Sequence, residues 1–176
     1  MFEAPRKLTT AALSKACTEC RCGALPNAIP NKGVTPGGRT RSKNAAAWNR
    51  MGAVSGTRLM IAAALEKAKK EHKRVILDFG GDWCGDCQVL DIYFHQTPNQ
   101  ALLEKNFVLV HVWIGHFDKN VDLAAKYGVP INKGVPALAV LNADGRVVYS
   151  QGTGQFADMR HMESKSVTEF LEKWKA

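Results

Sequence analysis

The sequence predicts an α/β domain, a central mixed sheet of four to five strands flanked by helices, with a disordered basic tail at its N-terminal side. Three observations carry this. Short β-rich runs at 75–79, 107–114 and 137–141 alternate with segments of helical period. One of those runs passes through a tight glycine turn directly into a helix, over Asp78-Phe79-Gly80-Gly81-Asp82-Trp83-Cys84-Gly85-Asp86-Cys87. Charge is also divided unevenly. Residues 1–50 hold nine Lys/Arg against Glu3 and Glu19, whereas the remainder holds fifteen basic and fourteen acidic residues. The net +8 of the 176-residue chain therefore belongs almost wholly to the tail, and the folded part is near neutral. That argues against a nucleic-acid-binding domain.

The tail carries Pro5, Pro26, Pro30 and Pro36 with Gly33, Gly37 and Gly38, and no hydrophobic period persists through it. Such a composition cannot bury enough apolar surface to offset chain ordering, so 1–52 is expected to be disordered and 53–176 to form the domain. Cys17, Cys20 and Cys22 could hold part of a metal site, but no local histidine completes four ligands. A basic, acid-poor start also fits an organelle-targeting segment, or a start placed too far upstream. No secretory apolar stretch lies near the start, and no run reaches the roughly 18 apolar residues of a membrane span. Taken literally, the chain is expected in the cytoplasm.

Within the domain, 57–72 reads as a helix with Leu59, Ala62, Ala63 and Leu65 as its stripe and a basic C-terminal end. Strand 75–79 follows, then the helix after the cysteines, which runs to about Gln96 and is stopped by Pro98. A short helix at 99–105 leads into 107–114, a central strand parallel to the first through a right-handed crossover. A helix at 120–127 ends on Gly128. Strands 137–141 and 146–150 form a hairpin about Asn142-Ala143-Asp144-Gly145. Ser166-Val167-Thr168-Glu169 reads as a capping box opening the last helix, with Phe170, Leu171 and Trp174 toward the sheet.

The chemistry concentrates at the cysteines. Positions i and i+3 share a helix face, so Cys84 and Cys87 can approach closely enough for a disulfide. Cys84 at a helix N-terminus meets unpaired N–H groups and the positive end of the dipole, which favour a thiolate, the reactive form of cysteine. Thiol–disulfide exchange is the chemistry this predicts. A CxxC is also half of a zinc site. However, no cysteine follows Cys87, and His95, His111, His116 and His161 form no close metal pair, so no metal is assigned.

The stretch from Asp78 to Cys87 resembles the thioredoxin family, in which a buried Asp precedes a Trp-Cys-Gly-x-Cys turn by this spacing. Gly134-Val135-Pro136, followed by Ala137-Leu138-Ala139-Val140-Leu141, matches that family's cis-proline loop. The resemblance covers about 57–176. With the 114–120 stretch and the 128–136 loop, it is most similar to a bacterial thioredoxin-like branch described as disulfide reductases or isomerases. It implies a thioredoxin fold, with protein thiols and disulfides as substrates and an unidentified redox partner. It also implies no cofactor beyond the Cys84–Cys87 disulfide. Relatives in this branch are commonly exported, which pulls localisation toward the periplasm. A monomer is expected. A non-catalytic binding or soft-metal-carrying module on the same fold is the alternative.

Cys84 should attack and Cys87, one turn in, should resolve. Trp83 is expected in an apolar surface that receives polypeptide, although a core role is also open. The resemblance places Val135 and a cis Pro136 against the disulfide, where backbone can pair with bound peptide. Asp78, ending its strand beneath the turn, is expected to be buried near Cys87 with a raised pKa and to act as its base. The family usually pairs that Asp with a lysine; here His111 falls near the lysine position, as a relay partner or as an ordinary core histidine. Gly85 and Asp86 occupy the turn between the cysteines. The family usually has proline at Asp86, whose carboxylate should disfavour the Cys84 thiolate and tune the couple toward reduction.

Overall fold

The computed structural model describes residues 54–176, so the expectations for the tail and for Cys17, Cys20 and Cys22 lie outside the described residues. Helix α1 (Val54–Glu71) leads into β1 (Arg74–Gly80), α2 (Gly85–Phe94), α3 (Asn99–Asn106) and β2 (Phe107–Trp113). Then come α4 (Val121–Lys126), a short 3-10 turn (Ile131–Lys133), β3 (Ala137–Leu141) and β4 (Val147–Ser150). A second 3-10 turn (Met159–His161) and α5 (Ser164–Trp174) close the domain. The four strands lie in the order β2-β1-β3-β4, with β1 and β2 parallel and the other pairs antiparallel. This is a mixed sheet in a thioredoxin-like arrangement, as the sequence predicts. No helix among the described residues is long and apolar enough to cross a membrane.

Strand β1 is central and buried on both faces, which is why it reads as an unbroken apolar run. Alternation splits its side chains into two layers. Val75, Leu77 and Phe79 join Val110, Val112 and Ala139 under α1 and α4. Ile76 joins Leu138 and Val140 against Leu90 and Phe94 of α2 and Phe170 and Leu171 of α5. Asp78 is on that second face, in register with His111 of β2 and Leu138 of β3.

Two local expectations are corrected. The buried stripe of α1 is Ile61, Ala64 and Ala68; of the expected Leu59, Ala62, Ala63 and Leu65, the first three are exposed, Leu59 at 72%, and Leu65 is half-buried. Spacing i, i+3, i+7 sets that face, and its two alanines let the helix lie close to the sheet. The last helix opens at Ser164, two residues before the expected capping box. Its polar residues are drawn to a buried amide instead: Asn99 Nδ2 donates to Ser164 Oγ (3.0 Å), and Thr168 Oγ1 donates to Asn99 Oδ1 (2.6 Å).

The α5 layer rests on Phe156, which is fully buried and meets Phe170 edge-on at 5.2 Å. Phe156→Ala should cost about 3–5 kcal/mol of unfolding free energy, by lost transfer energy and the cavity left behind. A denaturant titration checks it, with an unchanged slope and a lowered midpoint as the expected result.

Candidate active site

Strand β1 delivers the chain into a turn closed by Cys84 N–H donating to the Gly81 carbonyl (3.1 Å) and by Gln88 Nε2 donating to the Asp82 carbonyl (2.6 Å). Cys84 is then the N-cap of α2, with extended backbone, and its Sγ accepts from Cys87 N–H at 3.1 Å. A helix N-cap is normally Ser, Thr, Asp or Asn; here a sulfur takes that place and feels the same orphan donors. Cys84 and Cys87 are joined as a disulfide with Cα atoms 5.2 Å apart. Cys84 is less open than its position at a helix start predicts, at 6% exposed against 0% for Cys87. The disulfide is therefore reached only along one edge of Cys84.

The cis Val135–Pro136 peptide stands beside that edge, and the Val135 carbonyl oxygen is 3.6 Å from Cys84 Sγ. Gly134, part of the sequence motif, and Gln151, which the sequence did not single out, hold the loop. Gly134 has φ +119°, and a Cβ there would fall 2.5 Å from Ala157 Cβ, so only glycine fits. Gln151, buried, accepts from Leu138 N–H through Oε1 (3.1 Å) and donates through Nε2 to the Pro136 carbonyl (3.4 Å).

Trp83 is 41% exposed, and its indole N–H donates to the Gly115 carbonyl at 2.6 Å. Its ring stacks on His116 (centroids 5.5 Å, 24° between planes) and leans on Phe117 (5.6 Å), itself 46% exposed. The 114–120 stretch thereby acquires a structural account: it is a braced turn presenting an aromatic ledge beside the cysteines. Asp118 Oδ1 accepts from His116 N–H (2.9 Å), and Asn120 Nδ2 donates to the Trp113 carbonyl (2.7 Å).

The Asp86 carboxylate, between the two cysteines, has a partner from a distant part of the chain. Arg160, 74 residues away, donates its backbone N–H to Asp86 Oδ1 (2.9 Å) and its Nε to both carboxylate oxygens (3.2 Å each). Burial alone lifts the Asp86 carboxyl. The Arg160 hydrogen bonds and charge, with a smaller contribution from His161, outweigh it and hold the group below the usual carboxylate range. With a depressed native value, this clasp is complete at neutral pH and is lost as pH falls below about 4. Gly85 opens α2, and a side chain there would meet only Arg160 at ordinary distances of 3.7 and 3.9 Å.

The clasp makes a two-sided prediction for the reduced protein. Asp86→Asn leaves the guanidinium uncompensated and lowers the Cys84 pKa, whereas Arg160→Met leaves the carboxylate uncompensated and raises it. Each shift should be under about one unit, because Arg160 is largely solvated and screened. The pH dependence of iodoacetamide alkylation reads both, and shifts of the same sign would remove the pair from the tuning.

Asp78 is fully buried, and its Oδ2 shares a 3.0 Å hydrogen bond with Nδ1 of His111. Burial pushes the Asp78 carboxyl up, and the imidazole only partly opposes it. Burial would push His111 down, but the hydrogen bond and charge of Asp78, with that of Asp91, carry it upward. Both shifts describe one shared proton, which the pair holds above the usual carboxylate range. Asp91, which the sequence motifs do not mark, is buried one turn beyond Cys87, with Oδ1 3.6 Å from His111 Nε2 and 3.4 Å from His95 Nδ1. A charged residue four positions after Cys87, next to the apolar Leu90, was the available signal. No group of three or more His, Cys, Asp or Glu among the described residues is arranged to hold a metal ion.

Fold and site thus define an α/β domain with a cysteine pair at a helix start, facing a cis-proline loop. The profile of the family described as Thioredoxin-like matches residues 58–143. The solved disulphide isomerase of Xylella fastidiosa Temecula1 is 38% identical with a TM-score of 0.64, over 66% of this chain and 89% of that one. A thioredoxin H-type of Chlamydomonas reinhardtii is 36% identical over 50 residues, 28% of this chain and 44% of that protein. One of Fagopyrum esculentum is 32% identical over 76 residues, 43% of this chain and 58% of that protein. The chain thus spans about half the length of these two curated relatives. The chain belongs to the thioredoxin-like family.

Proposed function

We propose that the protein is a thiol–disulfide oxidoreductase of the protein-disulfide reductase or isomerase type, exchanging disulfides with polypeptide substrates through Cys84 and Cys87. The observation that carries this is the Cys84 sulfur at the N-cap of α2, bridged to Cys87 and receiving its N–H. Similarity to a protein described as a disulphide isomerase supports it.

In the reduced protein the Cys84 thiolate attacks a substrate disulfide, forming a mixed disulfide and releasing one substrate thiolate. Cys87 then attacks Cys84 Sγ. The Cys84–substrate bond breaks, its electron pair leaves with the second substrate sulfur, and the Cys87 proton passes to Asp78. His111 partners Asp78 in that transfer. The Val135 carbonyl beside Cys84 offers an acceptor to a peptide N–H, and the Trp83 ledge an apolar face to its side chains. One chain supplies the whole site, and the disulfide itself is the redox group. A separate thiol or disulfide protein must return the pair to its starting state, which sets the direction of flow.

Dithiothreitol-driven reduction of insulin tests the reading. Wild-type protein should speed precipitation of the insulin B chain well above dithiothreitol alone, and Cys84→Ser should not. Equal rates would leave the fold as a docking module.

A further inference from the structure

Asp91 is a carboxylate that the exchange chemistry leaves unused. Its side chain is 3% exposed, and it lies in the layer where Leu90 and Phe94 of α2 meet Ile76 and Leu138 of the sheet. A buried charge without partners is costly, and Asp91 Oδ1 has no hydrogen-bond partner among the described residues. Two imidazoles nevertheless flank it, His111 Nε2 at 3.6 Å and His95 Nδ1 at 3.4 Å. A small rotation of the carboxyl brings it within reach of either. On the inner side, the other nitrogen of His111 is bonded to Asp78. On the outer side, His95 caps the C-terminus of α2 with its side chain 46% exposed, and its Nδ1 rests 2.7 Å from the Asp91 backbone carbonyl beside the carboxylate.

We infer that Asp91 and His95 extend the Asp78–His111 pair into a proton path joining the interior base to solvent. The inference rests on the reading that Cys87 resolves the mixed disulfide. In that step the proton leaves Cys87 as its sulfur bonds to Cys84, and it is accepted by Asp78. It passes to His111 Nδ1, the Nε2 proton passes to Asp91, and Asp91 hands it to His95 Nδ1 when that ring is in the tautomer protonated at Nε2, which then releases its Nε2 proton to solvent. The substrate thiolate released and the proton delivered to solvent balance the step, and the reverse order serves re-reduction. Asp91 and His95 touch neither sulfur nor substrate and act through His111.

The titratable groups facing Asp91 are His111 from β2, Asp78 beyond it on β1, and His95 from its own helix. Leu103 of α3 and Phe170 and Leu171 of α5 complete the layer with apolar surface. Asp86, nearer the start of α2, is taken up by Arg160. A direct path from Cys87 to water would need none of these groups, and that is the competing case.

The test uses the reduced full-length protein carrying Cys17→Ser, Cys20→Ser and Cys22→Ser in every sample, so that only Cys84 and Cys87 are free thiols, and one equivalent of dithiobis-nitrobenzoate, which releases one coloured thiolate when Cys84 attacks and a second when Cys87 resolves. Stopped-flow records of both phases across pH 5–9 should show Asp91→Asn keeping the first rate within about twofold. Its second phase should slow about tenfold, roughly 1.4 kcal/mol of barrier, with a flattened pH profile. His95→Gln, a change at the surface, should slow the second phase about threefold, and imidazole in the buffer should restore it. The proposal is overturned if both variants resolve at the wild-type rate. It is equally overturned if Asp91→Asn slows resolution without altering its pH profile, or if imidazole fails to rescue His95→Gln. Release of only one thiolate by the wild-type protein would instead remove the resolving role of Cys87, and the path with it.

Discussion

Cys87→Ser accumulates mixed disulfides with substrate proteins, and Cys84→Ser accumulates none. The asymmetry follows from where the two sulfurs sit. Cys84 is the N-cap and keeps a narrow exposed edge beside the Val135 carbonyl, whereas Cys87 is closed off one turn in. An incoming disulfide can reach only the first, and the second can reach only a disulfide already attached to the first. Cys84→Ser should therefore lose at least about a hundredfold in exchange rate, near 2.8 kcal/mol at 1.4 per factor of ten. Cys87→Ser should retain a single attack and then stall. Mass spectrometry of trapped adducts after alkylation quench measures both, and equal trapping by the two variants contradicts the assignment.

Asp78→Asn slows resolution of the mixed disulfide at least tenfold at neutral pH while leaving the first attack nearly unchanged, and it also raises the melting temperature. On the proposed mechanism, the variant lacks a buried acceptor for the Cys87 proton. The stability effect has the opposite sign because the native state pays for ionising a carboxylate in an apolar layer. A carboxyl whose native pKa is raised contributes stability below its unfolded value, near 3.9, and that contribution is lost as pH rises through the native value. Asparagine removes the loss and keeps a hydrogen bond to His111. The gain in melting temperature should accordingly be small near pH 4 and grow toward pH 8. Calorimetry across that range checks it; a variant less stable than wild type at pH 8 would show that the acid braces the fold.

Most of the sheet, and the Cys84–Cys87 turn, were legible because their signals are local. Val75, Ile76 and Leu77 announce a strand buried on both faces, and Trp83-Cys84-Gly85-Asp86-Cys87 carries its chemistry within five positions. His111 was brought near Asp78 by the family resemblance, which puts it close to the position of a partnering lysine, and the parallel register sets the two directly opposite. What escaped depends on contacts across the chain. Nothing near Asp86 signals that Arg160 will neutralise it, and nothing in Gln151 signals that its amide will complete the bonding of the Pro136 loop. Asp91 was hidden differently: its partners come from β2 and from the end of its own helix, so its burial appears only when α2 is laid on the sheet. The capping-box error has a similar origin. Ser166 and Glu169 have the right spacing, but helix entry is set at Ser164 by the tertiary bonds of Asn99.

The most direct test of the account is the equilibrium of the Cys84–Cys87 pair with defined ratios of reduced and oxidised glutathione or dithiothreitol. An exchanging pair should titrate reversibly between about −270 and −120 mV, with a value near the lower bound marking a reductant and one near the upper bound an oxidant. Reversible titration within that window, abolished in Cys84→Ser, is the result predicted. A potential below about −300 mV, as structural disulfides have, would contradict the account and make the bridge a fixed brace of α2.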